Sequence, residues 1–188
     1  MNLRFLVFPC TLFACACVPA VDDEVDDPGS TDEVFQTEAQ GDGSFISVVD
    51  ARDEAAFTYI DFESRAGVDG ASAAWDLGFL RFNIATHAEV AVLGGADFDA
   101  LVVAPADGYV VDASDPETAM QETMPGYAFD LWYDYDPMTH VLSARADLVY
   151  VVRTPEDNYF KVQLLDYYDD AGTPGLLSLR WAPLAPPA

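Results

Sequence analysis

From residue 45 onward, apolar and polar positions alternate with a period of two in a series of short runs. That pattern marks half-buried β-strands rather than a 3.6-residue helical face. Residues 45–50 (FISVVD) and 56–62 (AFTYIDF) alternate in this way and are rich in β-branched and aromatic side chains, so both are predicted strands. Residues 75–84 (WDLGFLRFNI) put Trp75, Leu77, Phe79 and Arg81 on one face and Asp76, Gly78, Leu80, Phe82 and Ile84 on the other. Both faces are largely apolar, which predicts one strand running through the middle of the core. Residues 89–93 form a shorter strand ended by Gly94-Gly95. Further strand-like runs follow at 129–135, 141–142, 148–153, 159–165 and 176–181, joined by turn-forming residues at 136–140 (DPMTH), 155–158 (PEDN) and 169–175 (DDAGTPG). Short strands with turn signals at this spacing predict a mainly β, antiparallel single domain over residues 44–188. There is no internal repeat and no coiled-coil heptad.

Residues 96–127 interrupt the pattern. Phe98-Asp99-Ala100-Leu101 has the composition of one helical turn, and residues 113–124 are polar and proline-interrupted. A long irregular excursion on the surface is expected, and segments of this kind usually carry function.

The N-terminal part is of another character. Residues 18–43 hold nine acidic side chains and no basic one, with Pro28-Gly29-Ser30 and Gly41-Asp42-Gly43 and no hydrophobic period. An acidic, disordered tether is expected there. Before it, residues 1–17 hold one cation, Arg4, the apolar run Phe5-Leu6-Val7-Phe8, and all three cysteines of the chain, Cys10, Cys15 and Cys17. The run is too short to span a bilayer and has the proportions of a signal-peptide apolar region. Leu12-Phe13-Ala14-Cys15 resembles a lipobox, with Cys17 as the alternative lipidation site and an ordinary cleaved signal as the alternative processing. A lipidated cysteine implies an anchor in the cell envelope. Ala16 or Val18, rather than Asp, follows the cysteine, which points to the outer membrane. With no cysteine after residue 17, the domain has no internal disulfide and is held by packing alone.

Charge narrows the partners. The net charge is −25, and from residue 44 onward 24 acidic residues face seven basic ones. Nucleic acid is excluded as a partner, because neutralising phosphates needs Lys and Arg, and direct adsorption to an anionic membrane is disfavoured for the same reason. Residues 22–27 (DDEVDD) lack the glycine turn and terminal Glu of an EF-hand loop. No Gly-x-Ser-x-Gly, His-Glu-x-x-His or phosphate-cradling glycine loop occurs, so the chain is expected not to be an enzyme.

Two stretches carry a family resemblance. One is Trp75-Asp76-Leu77-Gly78-Phe79 continuing to Arg81-Phe82-Asn83-Ile84-Ala85-Thr86. The other is residues 150–154 (YVVRT), a turn, and residues 159–168 (YFKVQLLDYY). In this order, behind a lipoprotein-like signal and an acidic tether, they resemble the HmuY-like family of bacterial haem-binding outer-membrane lipoproteins over residues 45–182. The resemblance implies a β-rich, hand-shaped domain that binds haem at the cell surface for iron acquisition and passes it to a TonB-dependent outer-membrane receptor. It also implies axial ligands in loops of the C-terminal half, His or Met, which no motif fixes by position.

Haem iron takes His, Met, Cys or Tyr, and beyond residue 17 the chain offers His87, His140, Met120, Met124, Met138 and its tyrosines. His140 with Met124 is the candidate pair of haem ligands. The alternatives are a His140 that bonds its own turn and a Met124 that covers the edge of the core. Arg153 and Lys161 are candidate contacts for the haem propionates, or else partners of the abundant carboxylates. The competing function is a structural or protein-interaction lipoprotein that keeps the fold without binding haem, which the scarcity of histidine and the acidity favour.

Overall fold

The computed structural model describes residues 34–113 and 126–188. The signal at residues 1–17 with Cys15 and Cys17, the tether up to residue 33, Met120 and Met124 lie outside the described residues. Every regular element among the described residues is a strand, and no helix is long and apolar enough to cross a membrane.

Seven strands build the main sheet: β1 (Phe35–Ala39), β2 (Phe45–Asp50), β7 (Glu89–Gly94), β8 (Tyr109–Val110), β11 (Leu148–Arg153), β12 (Tyr159–Tyr168) and β13 (Pro174–Leu184), in the order β1-β2-β13-β12-β11-β7-β8. A smaller sheet holds β3 (Thr58–Asp61), β4 (Ala66–Val68), β5 (Leu77–Leu80) and β6 (Asn83–Thr86), ordered β4-β3-β5-β6. A separate hairpin joins β9 (Tyr133–Asp136) to β10 (Val141–Ala144). Neighbours in each sheet pair antiparallel.

The period-two pattern sets which faces meet. On β13, Leu177, Leu179 and Trp181 point into the core while Leu176, Ser178 and Arg180 are only partly covered. They join Val49, Tyr150, Val162 and Leu164 of the main sheet, with Ile60, Leu77, Phe79 and Ile84 of the smaller one, in a single buried cluster. The two sheets therefore share one core.

β11 is buried on both faces: Tyr150 and Val152 enter that cluster, while Val149 and Val151 pack on the other side against Phe98 and Ala104. The first part of the excursion thus covers the outer face of the main sheet. It does so through one turn, in which the Leu101 amide donates to the Asp97 carbonyl at 3.1 Å and the Asp97 carboxylate accepts the Asp99 and Ala100 amides.

Three sequence expectations need correction. First, the described fold already includes residues 34–43, ahead of residue 44. Residues 35–39 (FQTEA) form edge strand β1, with Phe35 only 5% exposed in the core and Thr37 hydrogen-bonded to Ser47 at 2.7 Å. With only Phe35 and Ala39 apolar, at its two ends, the run holds too few such positions to read a period. Second, residues 75–84 are a hairpin rather than one strand. Leu80 pairs with Asn83 across a two-residue turn of Arg81 and Phe82, with Arg81 at φ 54°. A two-residue turn keeps the alternation in phase, and neither turn residue is a usual turn former. Third, only residues 133–135 of the run 129–135 are strand. Ahead of them the Asp130 amide donates to the Tyr127 carbonyl and the Trp132 amide to the Phe129 carbonyl, two consecutive turns that drive Phe129 and Trp132 inward.

One packing detail yields a stability prediction. The Tyr59 ring lies against Gly70 and Gly78 and stacks near Phe57 and Trp75 (centroids at 5.9 and 4.8 Å). A Cβ on Gly78 would lie 2.8 Å from Tyr59 Cε1, and with neighbours on several sides the ring has little room to yield. Gly78→Ala is expected to destabilise the domain by about 1–3 kcal/mol. Gly94→Ala, where a Cβ meets open space, should stay within about 0.5 kcal/mol of the parent. Thermal melts of the two variants side by side make the comparison, and equal melting temperatures would refute the wedge.

Candidate functional site

Hairpin β9–β10 stands over the end of β12 and the β5–β6 turn and encloses a cleft of about 740 Å³. Arg81 and Phe82 come from the β5–β6 turn, Asp130 and Leu131 from the turn before β9, and Tyr133, Asp134, Tyr135, His140 and Leu142 from the hairpin. Tyr167, Tyr168 and Pro174 complete the lining. Its volume falls in the range of small-molecule sites.

The walls are aromatic because buried rings hold the cleft open from below. The Trp132 indole donates to the Phe82 carbonyl at 2.8 Å and meets Tyr133 edge-on at 5.1 Å and Tyr167 at 6.3 Å. The Tyr168 hydroxyl accepts the Leu142 amide at 3.1 Å and so pins the hairpin to β12. Leu131 is 67% exposed at the rim. Burial is the main cause that pushes the Tyr133 and Tyr167 hydroxyls above the usual phenol range; Asp130 adds to it at Tyr133, and Arg81 opposes it at Tyr167. Both stay neutral near pH 7.

His140 lies in the turn between β9 and β10 at φ 58°, where its amide donates to the Asp136 carbonyl. The Tyr135 hydroxyl meets its Nδ1, which leaves Nε2 as the ring nitrogen without a protein partner among the described residues. Met138, two residues earlier, is 86% exposed.

Arg81 is the one cation in the cleft lining, and it has no carboxylate partner among the described residues; its Nη1 donates only to the Arg52 carbonyl at 3.4 Å. The other described arginines are engaged. Arg52 pairs with Asp50, Arg145 with Asp147, Arg180 with Asp42 and Asp99, and Arg65 lies over the Phe45 ring.

Arg153 and Lys161 line hollows other than the one with His140. Arg153 donates to Glu89 at 2.9 Å and to Asp157 at 2.7 Å. Lys161 is buried, with Nζ on the Phe98 and Leu101 carbonyls at 2.6 and 2.9 Å and 4.4 Å above the Phe98 ring. Burial holds its ammonium below the usual lysine range. His87 stacks on Trp75 at 5.0 Å. Sequence reasoning missed Arg81 and the aromatic walls. The one available signal was the tyrosine density of residues 133–135 (YDY) and 166–168 (DYY).

Residues 112 and 113 meet residues 126–128 beside the cleft. The Ala113 amide donates to the Gly126 carbonyl at 3.1 Å, and the Asp112 carboxylate accepts the Thr86 and Ala128 amides at 2.7 and 2.9 Å.

The fold has solved counterparts. A Bacteroides fragilis protein named as a lipoprotein superposes with a TM-score of 0.61 at 19% identity, over 82% of this chain and 97% of that one. A Bacteroides vulgatus protein named as HmuY-like and heme-binding gives 0.57 at 21% identity, over 78% and 95%. The apo HmuY analogue of Tannerella forsythia gives 0.57 at 19%, over 78% and 95%. At these identities the likeness is one of fold. No curated protein matches the chain. The family model described as HmuY protein matches residues 53–181, a span that opens before β3 and closes within β13. By that match, the chain belongs to the HmuY family.

Proposed function

We propose that the protein binds haem, or a related tetrapyrrole, in the cleft beneath hairpin β9–β10. The observation that carries this reading is the combination in one cleft of aromatic walls, a histidine with a ring nitrogen unengaged among the described residues, and an arginine with no carboxylate partner among them. Each part suits one part of haem: a flat macrocycle lies against aromatic faces, iron takes imidazole nitrogen, and guanidinium recognises carboxylates. The name of the Bacteroides vulgatus counterpart agrees with this reading. His140 is the proposed ligand from the hairpin, with Met124 as its proposed partner. Arg81 replaces Arg153 and Lys161 as the proposed propionate contact. The wider setting is a surface lipoprotein held in the outer membrane through Cys15 or Cys17, which hands its cargo to an outer-membrane receptor.

Titration with haemin tests the proposal. A saturable Soret shift with low-spin α and β bands is expected, and His140→Ala should weaken binding about tenfold or more and change the spectrum. An absorption spectrum that stays that of free haemin at micromolar protein would overturn it. Asp130 and Asp134 in the same lining favour the second reading, a protein-interaction lipoprotein without haem, which that result would leave standing.

A further inference from the structure

A second site lies at the other end of the smaller sheet. Asp61 ends β3, Glu63 follows in the turn to β4, and Asp76 precedes β5. One carboxylate oxygen from each of the three lies within 4.8 Å of the others. Asp76 is fully buried and Asp61 is 9% exposed. No Lys or Arg bonds any of the three among the described residues.

The oxygens divide cleanly. Asp76 Oδ2 accepts the Phe62 amide at 2.8 Å, Asp61 Oδ1 accepts the Glu63 amide at 2.9 Å, and Glu63 Oε1 accepts the Thr154 hydroxyl and the Asn158 amide group at 2.7 and 2.9 Å. Asp76 Oδ1 is buried with no hydrogen-bond partner among the described residues. A buried polar atom left without a partner calls for an occupant that the protein itself does not supply.

We propose that Asp61, Glu63 and Asp76 bind a hard divalent cation of the calcium class. Three carboxylates, with no His or Cys in the cluster among the described residues, suit calcium rather than a transition metal. The cation would join the β3–β4 turn to the start of β5. Through Glu63 it would also brace the β11–β12 turn, where Thr154 and Asn158 sit. Burial first, then the neighbouring Glu63 and Asp61 charges, push the Asp76 carboxyl up to about 8, so without a cation a proton is the competing occupant.

The test uses the full chain, freed of divalent ions by chelation, with calcium added back. A saturable rise in melting temperature is expected. Terbium luminescence sensitised through Trp75, adjacent to Asp76 in sequence, should appear and be displaced by calcium. Asp76→Asn keeps an acceptor for the Phe62 amide and should abolish both responses. Glu63→Gln, at an exposed position, should raise the half-saturating calcium concentration about tenfold while the protein remains folded. The acidic residues 22–27 remain in both variants, so a response that survives both belongs to that segment and overturns the proposal. A melting temperature unmoved by calcium, together with a higher one for Asp76→Asn in chelator, assigns the position to a proton and overturns it equally.

Discussion

Truncating Trp181 to alanine is expected to remove about 3–5 kcal/mol of stability, the range for a large aromatic lost from a core. The residue is fully buried near the middle of β13, between β2 and β12. Its ring stacks on Phe45 at 4.4 Å, tilts against Phe62 at 4.9 Å and meets Phe160 edge-on at 5.7 Å. Phe62 directly follows β3, so the indole is where the two sheets touch. Its N–H donates to the Ser47 hydroxyl at 2.8 Å with both groups buried. Ser47→Ala strands that donor and should cost about 1–3 kcal/mol, while Trp181→Phe should fall between the parent and the alanine variant. Since whole domains are stable by only about 5–15 kcal/mol, Trp181→Ala brings the protein close to unfolding at ordinary temperature. Urea denaturation at constant slope measures each loss. A loss below about 1 kcal/mol for Trp181→Ala would show that the sheets are held elsewhere.

Reversing the charge of Arg81 is expected to lower haemin affinity by about tenfold to a hundredfold, the equivalent of one hydrogen bond to a charged group at about 1.5–3 kcal/mol. In Arg81→Glu the new carboxylate would join Asp130 and Asp134 in the cleft lining and repel the propionates. Arg81→Gln should give a smaller loss. Arg153→Gln releases Glu89 and Asp157 in another hollow and should leave affinity within about twofold. The difference between Arg81→Glu and the parent should shrink at high salt, because Arg81 is only half-buried. Equal losses for Arg81 and Arg153 would remove the cleft from the assignment.

The contrast between these arginines marks how far the sequence could be read. Strands β2 and β12 were legible from their alternation, β7 and β11 from short apolar runs rich in β-branched residues, and β13 was legible over its middle residues. Arg81 was hidden because it lies inside an unbroken alternation, so it passed for a strand residue instead of a turn that points a cation into a cleft. Arg153 and Lys161 drew attention as rare cations. Asp157 lies only four residues from Arg153, but their other occupants, Glu89 and the Phe98 and Leu101 carbonyls, arrive from 60 or more residues away in sequence. His140 was reachable by residue type alone. Its setting, with Tyr135 on Nδ1 and Tyr168 pinning the hairpin, follows from the register of β9 on β10 and from the end of β12. The Asp61–Glu63–Asp76 cluster was invisible for a similar reason: in so acidic a chain no carboxylate stands out until burial separates one from the rest.

The route by which the chain enters the domain has a mechanical consequence. Residue 34 leads into β1, whose Phe35 pairs with Val49 at the open end of the β1–β2 hairpin. Tension arriving from the N-terminal side therefore loads an edge strand from its unpaired end and peels it one residue pair at a time, instead of shearing all five pairs together. Peeling yields slack at about 3.4 Å per residue, while β2 stays bonded to β13 and Trp181 stays covered. β1 is thus expected to give way first under such load, a sacrificial edge whose loss takes only Phe35 from the core cluster.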